Sequence, residues 1–388
     1  MAWDGAASLT EQFESARAHV VKIFPSCKRP GRSYQGFVKA MGVMGALLLD
    51  RLANRLRDQL RAMNSCWTVM GINAFAADGS RVECPRTAAN QEFLKRAGRK
   101  KSGPQFSLTT LYHMGSGCVW DYRIGRGIDS ERTHLRAMLE GLPLCATLVA
   151  DAGFSGYDLL RDILASGRHI LFRVGSNVTL LRELGYAQVE NDSTVYLWPD
   201  KAQKKHQQPL VLRLIVLRDG RRPVYLVSDV LSQQEMSLEQ ASVLYRLRWG
   251  IEVFYRSLKQ TLQHRKMRSH APAQAKRELQ WAMAALWVLS VRGAQEVVAG
   301  GKNPRSLSIA TARTILRRAM AGRCRPGCDL GRQLGNALKD TYVRRGSKTA
   351  RNWPYKKNDP PAGAPKIQSA TANQLQRVKE LQERNVAA

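Results

Sequence analysis

A short uncharged run in the middle of the chain constrains the fold more than any other feature of the sequence. Residues 146–150 (ATLVA) show no alternation of apolar and polar positions, which is typical of a strand buried on both faces. The run ends at Asp151-Ala152-Gly153, and a helical pattern over 157–165 and a strand pattern over 169–174 follow. Strands that alternate with helices predict an α/β sheet with helices packed against it.

A second apolar run precedes another aspartate. Residues 74–77 lead into Asp78-Gly79-Ser80, which predicts a strand that ends in a turn. The β-forming residues of 105–112 and 118–124 then predict a hairpin, and a helix is expected over roughly 130–139. Ligands of α/β sheets gather at strand ends, so Asp78 and Asp151 are candidate site residues. Taken singly, each aspartate also fits an ordinary turn or a helix cap.

The remaining segments predict a division into three regions. Residues 1–70 have helical periodicity and many arginines, so they are expected to form a helical, basic N-terminal region. An α/β domain is expected over 71–300, with a β-rich insertion at about 176–230 whose strand-like pieces are 193–198, 209–217 and 223–227. Helices are expected over about 237–265 and 274–298. Residues 301–388 are predicted to be basic and partly disordered, with a polar, proline-rich stretch at 356–363.

The charge of the chain restricts its partners. Lysine and arginine total 61 and aspartate and glutamate 31 among 388 residues, a formal net charge of +30. A field of this size attracts polyanions, and nucleic acid is the commonest of them because bound phosphates release condensed counterions. A ribosome-like structural protein and a membrane-surface protein are the alternatives that the charge leaves open.

The cysteines and the apolar stretches indicate a soluble protein of a reducing cytoplasm. Seven cysteines, an odd number, are scattered along the chain, which is not the pattern of a disulfide framework. Cys324 and Cys328 lie four residues apart without a second Cys or His pair, so two free thiols are expected rather than a zinc site. The first residues show no signal-peptide pattern, and the apolar stretch 281–291 is too short to span a bilayer. We therefore expect no membrane partner.

The predicted helix around Glu252 carries an ordered set of polar residues. Tyr245, Arg248, Glu252 and Lys259 have offsets of 0, 3, 7 and 14, which places them within roughly 60° of one another on a regular α-helix. Arg256 extends this polar stripe. The opposite face is apolar and predicts burial; it consists of Leu244, Leu247, Ile251, Phe254, Leu258 and Leu262. An ordinary solvated helix face is the alternative interpretation of the stripe.

The spacing Tyr245-x2-Arg248-x3-Glu252-x6-Lys259 resembles the YREK signature of the DDE transposases of bacterial insertion sequences, in the group named after insertion sequence four. Asp78-Gly79-Ser80 and Asp151-Ala152-Gly153-Phe154 resemble the first and second aspartate motifs of that family, in the same order. The resemblance covers about 70–300. It implies that residues 71–300 are the catalytic domain and that the N-terminal region, 1–70, could recognise DNA ends. It implies an α/β, RNase H-like core with a mixed sheet, flanking helices and a β-rich insertion, between helical N- and C-terminal regions.

The resemblance also implies roles for individual residues. Asp78, Asp151 and Glu252 would be the catalytic carboxylates and would hold Mg²⁺ or Mn²⁺, with two ions expected, because hard cations prefer oxygen ligands. Tyr245, Arg248 and Lys259 would contact DNA near the cut end, and Arg256 would extend that surface. Trp249, or Trp198 in the β-rich segment, could stack on an unpaired base, with core packing as the alternative for both.

The function expected from the resemblance is cut-and-paste DNA transposition in the bacterial cytoplasm, close to the nucleoid. The enzyme would hydrolyse the phosphodiester bonds at the ends of its element and transfer the freed 3′-hydroxyl into target DNA, and it would act as a homodimer on paired ends. Two alternatives stay open: an RNase H-like nuclease without strand transfer, and a catalytically inert DNA-binding descendant of a transposase.

Overall fold

The computed structural model describes residues 1–6, 8–25, 31–95, 103–218, 222–323, 327, 329–340 and 363–387. The helices of these residues are α1 (Leu9–Ile23), α2 (Tyr34–Arg61), α3 (Ala88–Leu94), α4 (Glu131–Arg136), α5 (Tyr157–Ala165), α6 (Asp200–Lys204), α7 (Leu238–Leu247), α8 (Trp249–Arg256), α9 (Pro272–Ala299), α10 (Ile309–Met320), α11 (Leu330–Gly335) and α12 (Ala372–Ala387). The strands are β1 (Ala74–Glu83), β2 (Gln105–His113), β3 (Cys118–Arg126), β4 (Thr147–Ala150), β5 (His169–Arg173), β6 (Thr179–Arg182), β7 (Thr194–Leu197), β8 (Leu210–Leu217), β9 (Val224–Ser228) and β10 (Lys366–Ser369).

The chain folds as two units that share strand β1. The first unit comprises Met1–Asn73, Ala77–Met138 and Trp249–Asp340. The second comprises Ala74–Ala76, Leu139–Arg248 and Thr341–Ala388. The first three residues of β1 therefore belong to the second unit and the rest of the strand to the first.

The strands form a mixed sheet. In the second unit their order is β10-β6-β7-β8-β9-β5-β4-β1, and in the first unit β2 and then β3 follow β1. The β4–α5–β5 crossover joins parallel strands, with Leu148 opposite Ile170, whereas β2 and β3 form an antiparallel hairpin. The α/β fold class with a mixed sheet and flanking helices is therefore confirmed, and it agrees with the RNase H-like core that the resemblance implied.

The β-rich segment extends this sheet. Strands β7, β8 and β9 lie where the sequence predicted strand-like pieces, and β9 pairs antiparallel with β5. A buried arginine, Arg213 of β8, donates to the carbonyls of Ser232 and Met236. This residue ties the sheet to the loop before α7, whose first turn is closed by a capping box between Ser237 and Gln240.

Helix α9 is the central helix of the first unit. It packs against α2, α10 and α11, and most of its length is buried. It begins with Pro272 at its first position, which suits a residue that has no N–H to donate. Among the described residues it is the one helix long and apolar enough to cross a membrane, but its burial inside the unit identifies it as a core helix.

The C-terminal residues contain structure that the sequence did not predict. Strand β10 pairs in parallel with β6, with Lys366 opposite Thr179, and α12 follows it with Val378 and Leu381 buried. Helix α12 agrees with the helical C-terminal region that was expected, whereas strand β10 was not predicted, because a four-residue edge strand carries little hydrophobic signal. The predicted polar stretch 356–363 lies, except for Gly363, outside the described residues, as do Cys324 and Cys328.

The turn between β2 and β3 generates a prediction about stability. A Cβ added to Gly115 would lie 2.1 Å from the backbone carbonyl oxygen of Cys66, and a backbone atom cannot rotate away. We expect Gly115→Ala to lower the free energy of unfolding by about 3 kcal/mol, the upper range for overpacking. Urea denaturation measures this change. Gly300→Ala is the matched control, since its nearest contact would be an ordinary 3.5 Å; equal effects of the two variants would contradict the prediction.

Candidate active site

Asp78 lies within strand β1, where the strand leaves the buried core. Residues 74–77 are fully buried, and from Asp78 onward the side chains are half-buried until Val82. One carboxylate oxygen of Asp78 accepts a hydrogen bond from the N–H of Gly79 at 2.8 Å. The prediction that the strand ends at Asp78 is wrong: the apolar run marks where burial ends, whereas the strand itself continues to Glu83.

Gly79 lies directly beside a side chain from the start of α4. The carboxylate carbon of Glu131, at the start of α4, lies 2.0 Å from the point where a Cβ on Gly79 would stand. Arg81, two residues further along β1, lies 3.8 Å from the same carboxylate and donates to the carbonyl of Gly127. The glycine after Asp78 therefore makes room for a carboxylate rather than for a turn.

The helix predicted over 237–265 is interrupted twice. Helix α7 ends at Leu247, α8 runs from Trp249 to Arg256, and a π-helical segment follows at Ser257–Thr261. In that segment the N–H of Leu262 donates to the carbonyl of Ser257, five residues earlier, at 2.9 Å. The wider turn advances by less than 100° per residue, so the regular-helix angle predicted for Lys259 does not hold.

The chain from α8 to residue 267 is attached to β1 at three successive levels. The Tyr255 hydroxyl donates to the carbonyl oxygen of Asp78 at 2.8 Å, and the Lys259 ammonium donates to the Ser80 hydroxyl at 2.7 Å. Beyond the π-helical segment, the N–H of Met267 donates to the carbonyl of Glu83 at 2.8 Å, and the N–H of Glu83 donates to the Arg265 carbonyl. The first unit thereby holds the helix that carries Glu252 alongside the strand that carries Asp78.

The apolar face of this segment is buried as predicted. Its buried members are Leu244, Ile251, Phe254, Leu258 and Leu262, and Leu247 is half-buried. On the other face, Glu252 and Lys259 are half-buried, whereas Arg256 is exposed and Trp249 is 58% exposed. Burial and the nearby Arg265 lower the pKa of Lys259, and Glu83 and Asp78 oppose that shift.

Tyr245 and Arg248 belong to the second unit and do not lie on an exposed stripe. Both side chains are buried, and the Arg248 guanidinium stands over the Tyr245 ring at 5.6 Å. The expectation of an exposed polar stripe is wrong for these two residues, because they pack against each other as a buried cation–π pair. Trp198 is also buried and donates its indole N–H to the carbonyl of Gln207, which confirms the core-packing alternative.

Asp151 lies in the second unit, directly after the fully buried strand β4, and this location was predicted correctly. In the sheet β4 is the neighbour of β1. One carboxylate oxygen of Asp151 accepts from the N–H of Gly153 at 2.9 Å, and its carbonyl accepts from the N–H of Phe154. Asp78 and Asp151 thus share a local arrangement, in which a nearby backbone N–H orients one carboxylate oxygen.

The three carboxylates differ from an assembled metal site in arrangement but match one in chemistry. Within the part of the chain that the structure describes, no set of three or more His, Cys, Asp or Glu side chains is arranged to hold a metal ion. The chemistry of the donors nevertheless fits a hard cation, because Asp78, Asp151 and Glu252 offer carboxylate oxygen alone.

Two further candidate features were not predicted from the sequence. Tyr255 is buried, and burial, followed by Asp78 and Glu131, raises its pKa well above the usual value. The position of Tyr255, about one helical turn after Glu252, is the sequence feature that could have indicated it. The second feature is a basic cluster: the Lys339 ammonium donates to the carbonyl of Arg305, and burial, Arg305 and Arg256 lower the pKa of Lys339. The sequence showed that the C-terminal region is basic, but it did not show that Lys339 and Arg305 lie near Arg256.

Comparisons with known proteins identify the family of the chain. The family model for the transposase DDE domain matches residues 70–288, more than half of the chain. The chain is 24% identical over 222 residues to the transposase InsG for insertion sequence element IS4 of Escherichia coli (strain K12). That match covers 54% of this chain and 49% of the relative, so the chain spans about half the length of the curated relative.

Among solved structures, the chain is similar to the piggyBac transposase, determined by cryo-EM as a synaptic complex with hairpin DNA. The TM-score is 0.40 at 14% identity, and the match covers 71% of this chain and 59% of that chain.

The packing of α8 against β2 generates a prediction. A Cβ on Gly250 would lie 2.8 Å from the Tyr112 ring, which is buried and has little room to move. We expect Gly250→Ala to cost about 2 kcal/mol of stability through overpacking. Combining it with Tyr112→Leu should recover part of that loss, as a double-mutant cycle of unfolding free energies would measure. Strict additivity of the two changes would contradict the proposed contact.

Proposed function

Since the chain belongs to the transposase DDE domain family, we propose that it is a cut-and-paste DNA transposase. It hydrolyses phosphodiester bonds at the ends of its own element and transfers the freed 3′-hydroxyl into target DNA. The observation that carries the proposal is the attachment of α8 to β1, which supports a shared role for Glu252 and Asp78. Asp78, Asp151 and Glu252 all lie within the span matched by the family model.

The three carboxylates are proposed as both the catalytic and the metal-binding residues. Asp78, Asp151 and Glu252 would hold two Mg²⁺ or Mn²⁺ ions, which stabilise the attacking and leaving oxygens of a displacement at phosphorus. The backbone N–H groups of Gly79 and Gly153 orient the first two carboxylates. Carboxylates brought close together would repel one another, and the bound cations would offset that repulsion.

DNA is the proposed partner, and several cations are available for its phosphates. The net charge of +30 supplies the long-range attraction. Burial, and after it Arg305 and Arg256, lower the pKa of Lys339, so these three cations lie near one another and a phosphate would relieve their repulsion. Arg248 and Lys259 are further proposed phosphate contacts, but each would have to leave its present neighbour, Tyr245 or Ser80, to reach one.

Two further features of the proposal concern bases and assembly. Trp249 is the aromatic residue of this segment that is exposed, which supports a stacking role on an unpaired base. Tyr245, buried beneath Arg248, would act by holding that guanidinium rather than by touching DNA. We further propose a homodimer on paired DNA ends, acting in the cytoplasm of a bacterium.

A charge-neutral substitution tests the chemistry. Glu252→Gln keeps the size of the side chain but removes a charged oxygen ligand, so we expect Mg²⁺-dependent cleavage of DNA bearing the element ends to fall at least about 1,000-fold. Gel-shift binding of the same DNA should be retained. The control is Glu235→Gln, the same change at an exposed position of the second unit.

Three outcomes would decide between the alternatives. Full activity of Glu252→Gln removes this residue from the mechanism. Cleavage by the unaltered protein without joining indicates a nuclease, and tight binding without any cleavage indicates an inert descendant.

The basic cluster can be tested by the salt dependence of binding. Lys339→Ala should weaken binding of DNA ends at all sequences alike, and it should reduce the slope of log K against log [salt] by about 1. Lys379→Ala, which removes the same charge from α12, is the control and should leave the slope unchanged. An unaltered slope for the Lys339 variant would exclude a phosphate contact there.

A further inference from the structure

We infer that Tyr255 is a positioning residue whose hydroxyl holds Asp78 in register with the helix that carries Glu252. The inference rests on the proposed function, because it concerns the two carboxylates of that site within the first unit. Tyr255 would not touch DNA or metal. Its role would be to fix the spacing between two groups that do.

The contacts of the hydroxyl carry the inference. Tyr255 is 5% exposed, and its hydroxyl donates to the carbonyl oxygen of Asp78 at 2.8 Å. The carbonyl oxygen of Leu108, on the adjacent strand β2, lies 3.5 Å from the same hydroxyl. The buried hydroxyl of Tyr255 therefore lies against the backbone of two strands, β1 and β2. On β1 its acceptor is Asp78, the residue proposed to supply a catalytic carboxylate.

The contact also bears on the position of Glu252, because Glu252 and Tyr255 belong to the same helix. Tyr255 follows Glu252 by three residues in α8, and side chains at that spacing are neighbours on one side of a helix. The hydrogen bond is made to the backbone of Asp78, while the N–H of the next residue orients its carboxylate. A shift of α8 along β1 would consequently change the separation of the two carboxylates.

The other attachments make the expected defect local. Lys259 contacts Ser80, and residues 265 and 267 pair with Glu83, so both lie further along β1 than the Tyr255 contact. They would keep the segment on the strand when the tyrosine hydroxyl is absent. Removing the hydroxyl should therefore loosen the end of α8 that carries Glu252 without unfolding the unit.

The experiment compares Tyr255→Phe with the unaltered full-length chain on DNA bearing the element ends. The first readout is binding of Mn²⁺, followed by calorimetry and by the Mn²⁺-induced rise in melting temperature. We expect the apparent affinity for Mn²⁺ to fall about 10-fold, the scale typical of groups that orient metal ligands. The second readout is cleavage, which excess Mn²⁺ should restore, and DNA affinity should change by less than about 2-fold.

The control is Tyr157→Phe in the second unit. Tyr157 is also buried, and its hydroxyl donates to a backbone carbonyl, that of Gln208, at 2.6 Å. This variant loses an equivalent hydrogen bond and should keep the affinity for Mn²⁺. The pair thus separates a general loss of stability from a defect in positioning.

The outcomes distinguish this inference from the proposed function. Unchanged Mn²⁺ affinity in Tyr255→Phe, or an equal decrease in Tyr157→Phe, overturns the positioning role; so does failure of Tyr255→Phe to fold, which would make the hydroxyl a requirement of the fold. If the unaltered chain neither binds Mn²⁺ nor cuts DNA, the proposed function fails first. Normal cleavage by the Glu252→Gln variant would likewise contradict the proposed function.

Discussion

The hydrogen bonds between β1 and the segment from α8 to residue 267 are the interaction on which the site of the first unit depends. They occur at Asp78, Ser80 and Glu83, so the segment follows the strand over half of its length. Glu252 and Asp78 are distant in sequence, and these hydrogen bonds hold the elements that carry them side by side. Strand β1 leaves the buried core at Asp78, and all three attachments lie from that residue onward.

The electrostatic balance follows from this arrangement. The chain has twice as many basic as acidic residues, yet the groups nearest the Tyr255 hydroxyl include the carboxylates of Asp78 and Glu131. Lys259 is held beside Asp78 and Glu83 while Arg265 opposes its charge. Lys259 beside Asp78 and Glu83, and Arg81 beside Glu131, thus offset part of the carboxylate charge of this unit.

The sequence predicted the elements of the fold better than their ends. Helix α5 and strand β4 were located almost to the residue, since a buried strand and an amphipathic helix each have a distinct hydrophobic pattern. The end of β1 was wrong because burial and strand pairing are different properties, and only burial has a pattern. Strand β10 was missed because backbone pairing at a sheet edge places little demand on side chains.

The candidate site was predictable as a set of residue types but not as a set of contacts. The spacing of Tyr245, Arg248, Glu252 and Lys259 suggested one regular α-helix. Arg248, between α7 and α8, keeps helical backbone angles, whereas the helix widens into a π-helical turn at Ser257. Tyr245 and Arg248 form a cation–π pair in the second unit, and Lys259 contacts Ser80 of β1 in the first unit.

The π-helical segment explains why Lys259 lies against the strand. A turn of five residues changes the direction in which the following side chains project, and such segments are frequent at functional sites. Here the segment begins immediately after Arg256, so Tyr255 and Glu252 keep regular helical spacing while Lys259 turns toward Ser80. The helix is consequently a regular α-helix over the part that contains Glu252 and Tyr255. It is π-helical over the part that contains Lys259, whose ammonium contacts β1.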